Sequence, residues 1–153
     1  MRGLRIAMIA VGLATLVMLA AVGTTQTSTA PQYLNLPGRS DDLPYSNAVL
    51  VGDTLYLSGA IGVDPETGAP PEDVEQEIKI VLDSMKTRLE MVGMTMDDLV
   101  QVRVYCPDLT LYDQFNAIYR TYFTDHYPAR AFIGSGPLLR GGRFELTGVA
   151  VKR

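Results

Sequence analysis

The sequence predicts an α+β domain, a mixed sheet with two helices on one face, and three observations carry that expectation. Short runs rich in Val, Leu, Ile and Tyr, several with period-two alternation, recur near residues 49–58, 99–106, 130–133 and 143–151. Two stretches between them repeat apolar residues at three- and four-residue steps. Clusters of Gly, Pro and Asp separate the two kinds of segment. The expected order is two strands, a helix, a strand, a helix and two strands, with no internal repeat.

At the N-terminus, Met1-Arg2-Gly3-Leu4-Arg5 is a short basic start, Ile6 to Val22 an uncharged apolar run, and Gly23 to Ala30 a polar stretch. That order is the pattern of a secretory signal. Cleavage after Gly23 is preferred to cleavage after Ala30, and no cysteine follows the run to accept a lipid. The apolar run is about 17 residues long, near the lower limit for crossing a hydrocarbon core. An uncleaved anchor formed by residues 6–22 therefore stays open as the alternative. Either reading places the domain outside the cytoplasm, in a periplasm or secreted. Thr24 to Asp42, mixed in Thr, Ser, Gln, Pro and Gly, reads as a tether or as a lead-in that orders on docking. The expected division is thus a signal at 1–23, a lead-in at 24–42 and one globular domain at 43–153.

Within that domain, Val49-Leu50-Val51 and Thr54 to Ser58 flank Gly52-Asp53, the pattern of an antiparallel hairpin. Asp64 to Gly68 is a second turn, and Pro70-Pro71 holds off any helix until about Glu72. Val74, Ile78, Leu82, Met85, Leu89 and Val92 then mark one face of an amphipathic helix that Gly93 stops. Leu99 to Cys106 is a strand with Val100, Val102, Val104 and Cys106 on its apolar side and Gln101, Arg103 and Tyr105 on the other. Leu111, Phe115, Ile118, Tyr119 and Tyr122 share one side of a second helix from Leu111 to Phe123. Arg130 to Ile133 and Arg143 to Val151 are the last strands, joined by a loop rich in glycine. A sheet with both helices on one side leaves its other face uncovered, and apolar positions there point to self-association.

Charge narrows the function. The formal net charge is −4, and loss of residues 1–23, which hold Arg2 and Arg5 but no acid, moves it to −6. Phosphate-rich partners are captured by clustered Lys and Arg, and the chain has no such cluster, so no nucleic acid is expected as partner. The lone Cys106 cannot form an internal disulfide and reads as a small buried hydrophobe. One Cys and one His cannot build a zinc site.

Several segments resemble the RidA (YjgF/YER057c/UK114) family. Leu43-Pro44-Tyr45-Ser46-Asn47-Ala48-Val49 is similar to its "GPYSQAV" opening and Leu57-Ser58-Gly59 to its "SGQ" strand end. Asn116-Ala117-Ile118-Tyr119, Tyr122-Phe123 and Pro128-Ala129-Arg130 resemble its "NxxYxxFF…PAR" signature, and Gly142 to Val151, with Phe144-Glu145-Leu146 and Gly148-Val149-Ala150-Val151, its terminal "IEIEAIAV" strand. The likeness runs from Leu43 to the C-terminus. It implies a chorismate-mutase-like fold assembled as a homotrimer with pockets between subunits. It also implies an imine or enamine deaminase, in which Arg130 holds the carboxylate of a small 2-imino acid and Glu145 activates water. Tyr45, Ser58 and Asn116 match pocket-lining positions. Phe132 stands where the deaminase branch often has cysteine, and Gly134 to Gly142 do not resemble that branch's "EVARLP" stretch.

The residue types suit this chemistry. A guanidinium offers a planar two-pronged donor set for a carboxylate. A carboxylate beside a bound water can act as general base and then return the proton to the leaving nitrogen. An imine carbon is already electrophilic, so no metal or organic cofactor is expected. Away from the motif, Arg130 reads as a structural arginine and Glu145 as an ordinary exposed acid on an alternating strand. Ser58 has no histidine near it in sequence, and His126 reads as a loop residue without a ready partner, which argues against a hydrolase triad. The alternative to an enzyme is a trimer that binds small carboxylates such as 2-oxo acids without turnover, or a chaperone-like holdase; an endoribonuclease ranks below both.

Overall fold

A computed structural model describes residues 30–40 and 42–153. The expected signal at 1–23 lies outside them, as does the first part of the lead-in. The sheet has six strands: β1 (Gln32–Leu34), β2 (Ala48–Val51), β3 (Thr54–Ile61), β4 (Leu99–Cys106), β5 (Ala129–Gly134) and β6 (Glu145–Val151). Their order is β1-β2-β3-β6-β4-β5. Neighbours run antiparallel except β4 and β5, which are parallel because helix α2 (Tyr112–Tyr119) carries the chain back between them. Helix α1 (Val74–Glu90) makes the longer crossover from β3 to β4.

The amphipathic period of α1 is used as expected. Ile78, Val81, Leu82, Met85 and Leu89 are fully buried against the sheet. Asp73 caps the helix, its carboxylate accepting from the Glu75 amide at 2.9 Å, and Gly93 takes a left-handed φ of 72° just beyond the end. The facing strand residues Leu55, Leu57, Val102, Val104, Leu146 and Ala150 complete the core. Truncating one of these large side chains, such as Leu82, to alanine costs about 2–5 kcal/mol. Cys106 is buried, and desolvation raises its thiol pKa.

Of the two readings of the lead-in, its described part takes the docked one, with Gln32–Leu34 paired to β2 as an edge strand, and three other expectations are corrected. That strand depends on tertiary bonds: Asn47 Oδ1 accepts from the Leu36 amide at 3.0 Å, and the Asn47 amide donates to Asn35 Oδ1 at 3.1 Å. The first hairpin's second strand does not stop at Ser58; a register shift between Leu57 and Ala60 lets it continue to Ile61. Val100 does not lie with the buried side of β4. A second shift between Leu99 and Gln101 leaves it 48% exposed and buries Leu99 instead. His126 does have partners, with Nδ1 3.3 Å from Asp125 and Nε2 2.6 Å from Arg153 Nη2, although it remains a loop residue.

Candidate active site

Arg130 stands on β5 in register with Val102 of β4. Val102 is buried towards the helices, so the Arg130 side chain projects to that same face, beside α2. Its Nη2 donates to Asn116 Oδ1 at 2.7 Å. Tyr119, three residues further along α2 and hence on the same helix face, lies under the guanidinium, its ring centroid 4.6 Å from the Arg130 Cζ. The rings of Tyr112, Phe115 and Phe132 follow at 5.9 Å each. Aromatic faces attract a cation without neutralising it, so the charge stays available to a ligand. The guanidinium borders a cavity of about 260 Å³ with Tyr112, Asn116, Tyr119, Arg120 and Tyr127 on its walls. No carboxylate lines it, and among the described residues Arg130 makes no salt bridge.

Glu145 is placed differently. It is in register with Tyr105 of β4 and Ile61 of β3, and alternates with the buried Phe144 and Leu146. Its side chain therefore leaves the sheet on the face opposite the helices. The carboxylate lies over Gly59: a β-carbon built there would collide with Glu145 Oε1, so only glycine leaves the carboxylate in place. Ser58 and Gly59 occupy the β3 irregularity. Arg88 of α1, buried, secures it by donating from Nη1 to the carbonyls of Ser58 at 2.9 Å and Gly59 at 3.4 Å. Burial lowers the Arg88 pKa, and Tyr45 works in the opposite sense.

The segment leading into Glu145 is held by a buried acid. Glu77, fully buried on α1, accepts from the amides of Arg143 at 2.6 Å and Phe144 at 3.2 Å, and pairs with the Arg143 guanidinium. Ser58 Oγ donates to the Asn47 carbonyl at 3.0 Å. Tyr45 is half exposed, with the Arg39 guanidinium 5.1 Å from its ring centre.

Four of the five predicted residues thus form two pairs, with Tyr45 on the exposed segment before β2. Arg130 and Asn116 meet at the outer edge of the sheet, whereas Ser58 adjoins the Gly59 on which Glu145 rests. Arg130 and Glu145 are not brought together within one chain. They are separated by β4, by about 10 Å across the strands and about 10 Å along them, and they face opposite ways. Sequence reading missed Tyr112, Arg120 and Tyr127 as cavity residues and took Tyr119 for packing alone. The one available signal was the spacing of Asn116 and Tyr119, one helical turn apart. Arg88 and Glu77 gave none, since charged residues on an amphipathic helix read as solvated. A larger cavity of about 530 Å³, between α1 and the turns at 95–97 and 121–124, holds Lys79, Lys86, Asp83, Glu90 and Asp97 in mixed sign and none of the predicted residues.

A sequence model of the family described as endoribonuclease L-PSP matches residues 40–152. The chain is 38% identical over 110 residues to a RutC family protein of Saccharolobus solfataricus, covering 71% of this chain and 87% of the relative. It is 37% identical over 110 residues to the 2-iminobutanoate/2-iminopropanoate deaminase of Homo sapiens, covering 71% and 80%. Against the Salmonella typhimurium enzyme of the same name the figures are 34% over 113 residues, with 72% and 88% covered. Among solved structures, RidA from the Antarctic bacterium Psychrobacter superposes with a TM-score of 0.69 at 29% identity, covering 83% of this chain and 99% of the other. The Rid-family protein YyfA of Yersinia pestis gives 0.72 at 30%, covering 80% and 100%.

Proposed function

The chain belongs to the RidA (YjgF/YER057c/UK114) family, and from that premise we propose that it hydrolyses small 2-imino carboxylates, and the enamines that tautomerise to them, to 2-oxo acids and ammonia. The observation that carries the reading is Arg130, an oriented guanidinium with no acid beside it at the wall of a small cavity. Such a group is set for a carboxylate. Glu145 is the proton carrier. A water oxygen bonds to the imine carbon while its proton passes to the Glu145 carboxylate. Glu145 gives that proton to the nitrogen, then takes the proton of the new hydroxyl and passes it to the amine, so that the carbonyl forms as the carbon–nitrogen bond breaks and ammonia leaves.

One chain cannot place both groups on one substrate, because they leave opposite faces of the sheet. We therefore read the working unit as an oligomer, a homotrimer by family resemblance, in which Arg130 and Asn116 of one copy face Glu145, Tyr45 and Ser58 of the next. Association would also cover the face that displays Val49, Tyr56 and Val149. The N-terminal pattern adds export to the proposal, and the acidic balance with no basic stripe disfavours RNA as substrate.

The test is residues 24–153 supplied with imino acids made in situ by an amino-acid oxidase, beside Arg130→Ala and Glu145→Gln. Faster ammonia release by the native protein alone supports hydrolysis. If the native protein releases none while binding 2-oxo acids, the non-catalytic carboxylate-binding trimer is the better reading.

A further inference from the structure

The cavity beside Arg130 contains a second guanidinium. Arg120, at the C-terminal cap of α2, lines the same space of about 260 Å³. Neither arginine makes a salt bridge among the described residues. A cation at a helix C-terminus is favoured by the helix dipole whether or not it binds anything. The independent observation is the supply of donors and acceptors around it. Tyr119 is 3% exposed, and its buried hydroxyl has no hydrogen-bond partner among the described residues. Tyr112 and Tyr127 bring two more hydroxyls. The one side-chain amide oxygen, Asn116 Oδ1, is already taken by Arg130. Within one chain the space is walled by two guanidinium groups and several hydroxyls with no acid. The Glu145 that the next copy would bring is assigned to the attacking water, which leaves both guanidinium groups for a ligand that is rich in acceptors and doubly negative. A single carboxylate bound at Arg130 would leave Arg120 unmatched.

We propose that Arg120 makes this site selective for 2-imino and 2-oxo dicarboxylates, the α-carboxylate binding Arg130 and the distal carboxylate reaching Arg120. The α-carboxylate assignment rests on the deaminase reading; the count of charges does not. The distal group takes no part in the chemistry, so its contribution is binding that a monocarboxylate lacks. In the sequence of reactions around such an enzyme, the substrate would come from two-electron oxidation of an acidic amino acid by an oxidase or dehydrogenase, or from loss of a β-substituent from an amino dicarboxylate that carries one.

The experiment has a binding arm and a turnover arm, both with residues 24–153. Calorimetry should show 2-oxoglutarate binding about tenfold more tightly than 2-oxobutanoate, the size of one charge-assisted contact. Arg120→Gln should remove that preference, Arg120→Lys should keep most of it, and Arg120→Glu should reverse it. In turnover, the imine of glutamate should be preferred over that of 2-aminobutanoate by a similar factor in kcat/KM, and Arg120→Gln should lower that ratio. Equal affinity for the two oxo acids, a ratio unchanged in Arg120→Gln, or tighter binding of inorganic phosphate than of 2-oxoglutarate would overturn the inference. Hydrolysis of monocarboxylate imines alone would overturn it while leaving the deaminase reading intact. Dicarboxylate binding without hydrolysis of any imine would do the reverse.

Discussion

Arg130 Nη2 donates to Asn116 Oδ1 at 2.7 Å, so the guanidinium on the edge strand is aimed by a buried amide on the helix that precedes it. A charge-assisted hydrogen bond contributes about 1.5–3 kcal/mol. Asn116→Ala is therefore expected to raise KM for an imino acid about tenfold or more, while kcat falls less, because orientation of the carboxylate is lost and the proton carrier is untouched. Steady-state kinetics of the variant decide this. A fall confined to kcat would contradict the assignment.

Because Arg130 and Glu145 leave opposite faces of the sheet, each inactive variant should retain the half that the other lacks. Arg130→Ala and Glu145→Gln, each inactive alone, are expected to recover part of the native activity when unfolded together and refolded as mixed oligomers. Two copies with different lesions then form some intact sites. Absence of recovery in a mixture shown by mass spectrometry to contain mixed oligomers would place both residues' roles within one chain.

Gly59 has no room for a side chain under the Glu145 carboxylate. Gly59→Ala should displace that carboxylate, and turnover should drop about 100-fold, the scale of a general base misplaced by about 1 Å. The variant's thermal midpoint should move little, since the atom a β-carbon would meet is the far end of a flexible, half-buried side chain that can turn aside. Binding of a 2-oxo acid at Arg130, followed by calorimetry, should persist.

Glu77 holds the chain immediately before Glu145. Glu77→Ala leaves two backbone amides and Arg143 Nε without their acceptor, although the guanidinium keeps the carbonyls of Glu72 and Pro71, and is expected to cost about 3 kcal/mol in urea unfolding. Glu77→Gln retains an oxygen for the amides and should cost less. Equal losses for the two variants would show that the charge, and not the amide bonds, dominates.

Burial pushes the Tyr119 phenol from its ordinary 10.0 up to about 12, with Tyr127 adding to the rise and Arg130 opposing it. A pKa raised on folding means that the folded chain keeps a proton which the unfolded chain gives up. That contribution to stability is complete below pH 10 and declines as the pH rises towards 12. Denaturant midpoints measured across this window should fall, and Tyr119→Phe, which has no proton to lose, should show a shallower decline.

The element order was legible because local patterns set it: the three- and four-residue period of α1, the Gly52-Asp53 turn, and the alternation along β4 and β6 each depend on near neighbours in sequence. The limits of that logic appear at particular residues. Val100 alternates correctly on paper yet is exposed, because a register shift against β6 is a relation between two strands. Gln32–Leu34 has little strand signal of its own and is held by Asn47. The motif residues Arg130 and Glu145 were identifiable from sequence by family resemblance, whereas Tyr119 read as packing and no sequence pattern singled out Arg120.

By itself, then, the sequence determined the α+β class, the helix faces and the acidic balance, which follow from side-chain chemistry and local periodicity, and it offered Arg130 and Glu145 as candidates through family resemblance alone. Tertiary structure alone decided that Arg130 points to the helix face and Glu145 to the other, because a strand's facing depends on which residue it pairs with across the sheet. The same pairing brought Asn116, Tyr119, Arg120 and Arg130 around one cavity without an acid, a balance of charge that no single segment carries.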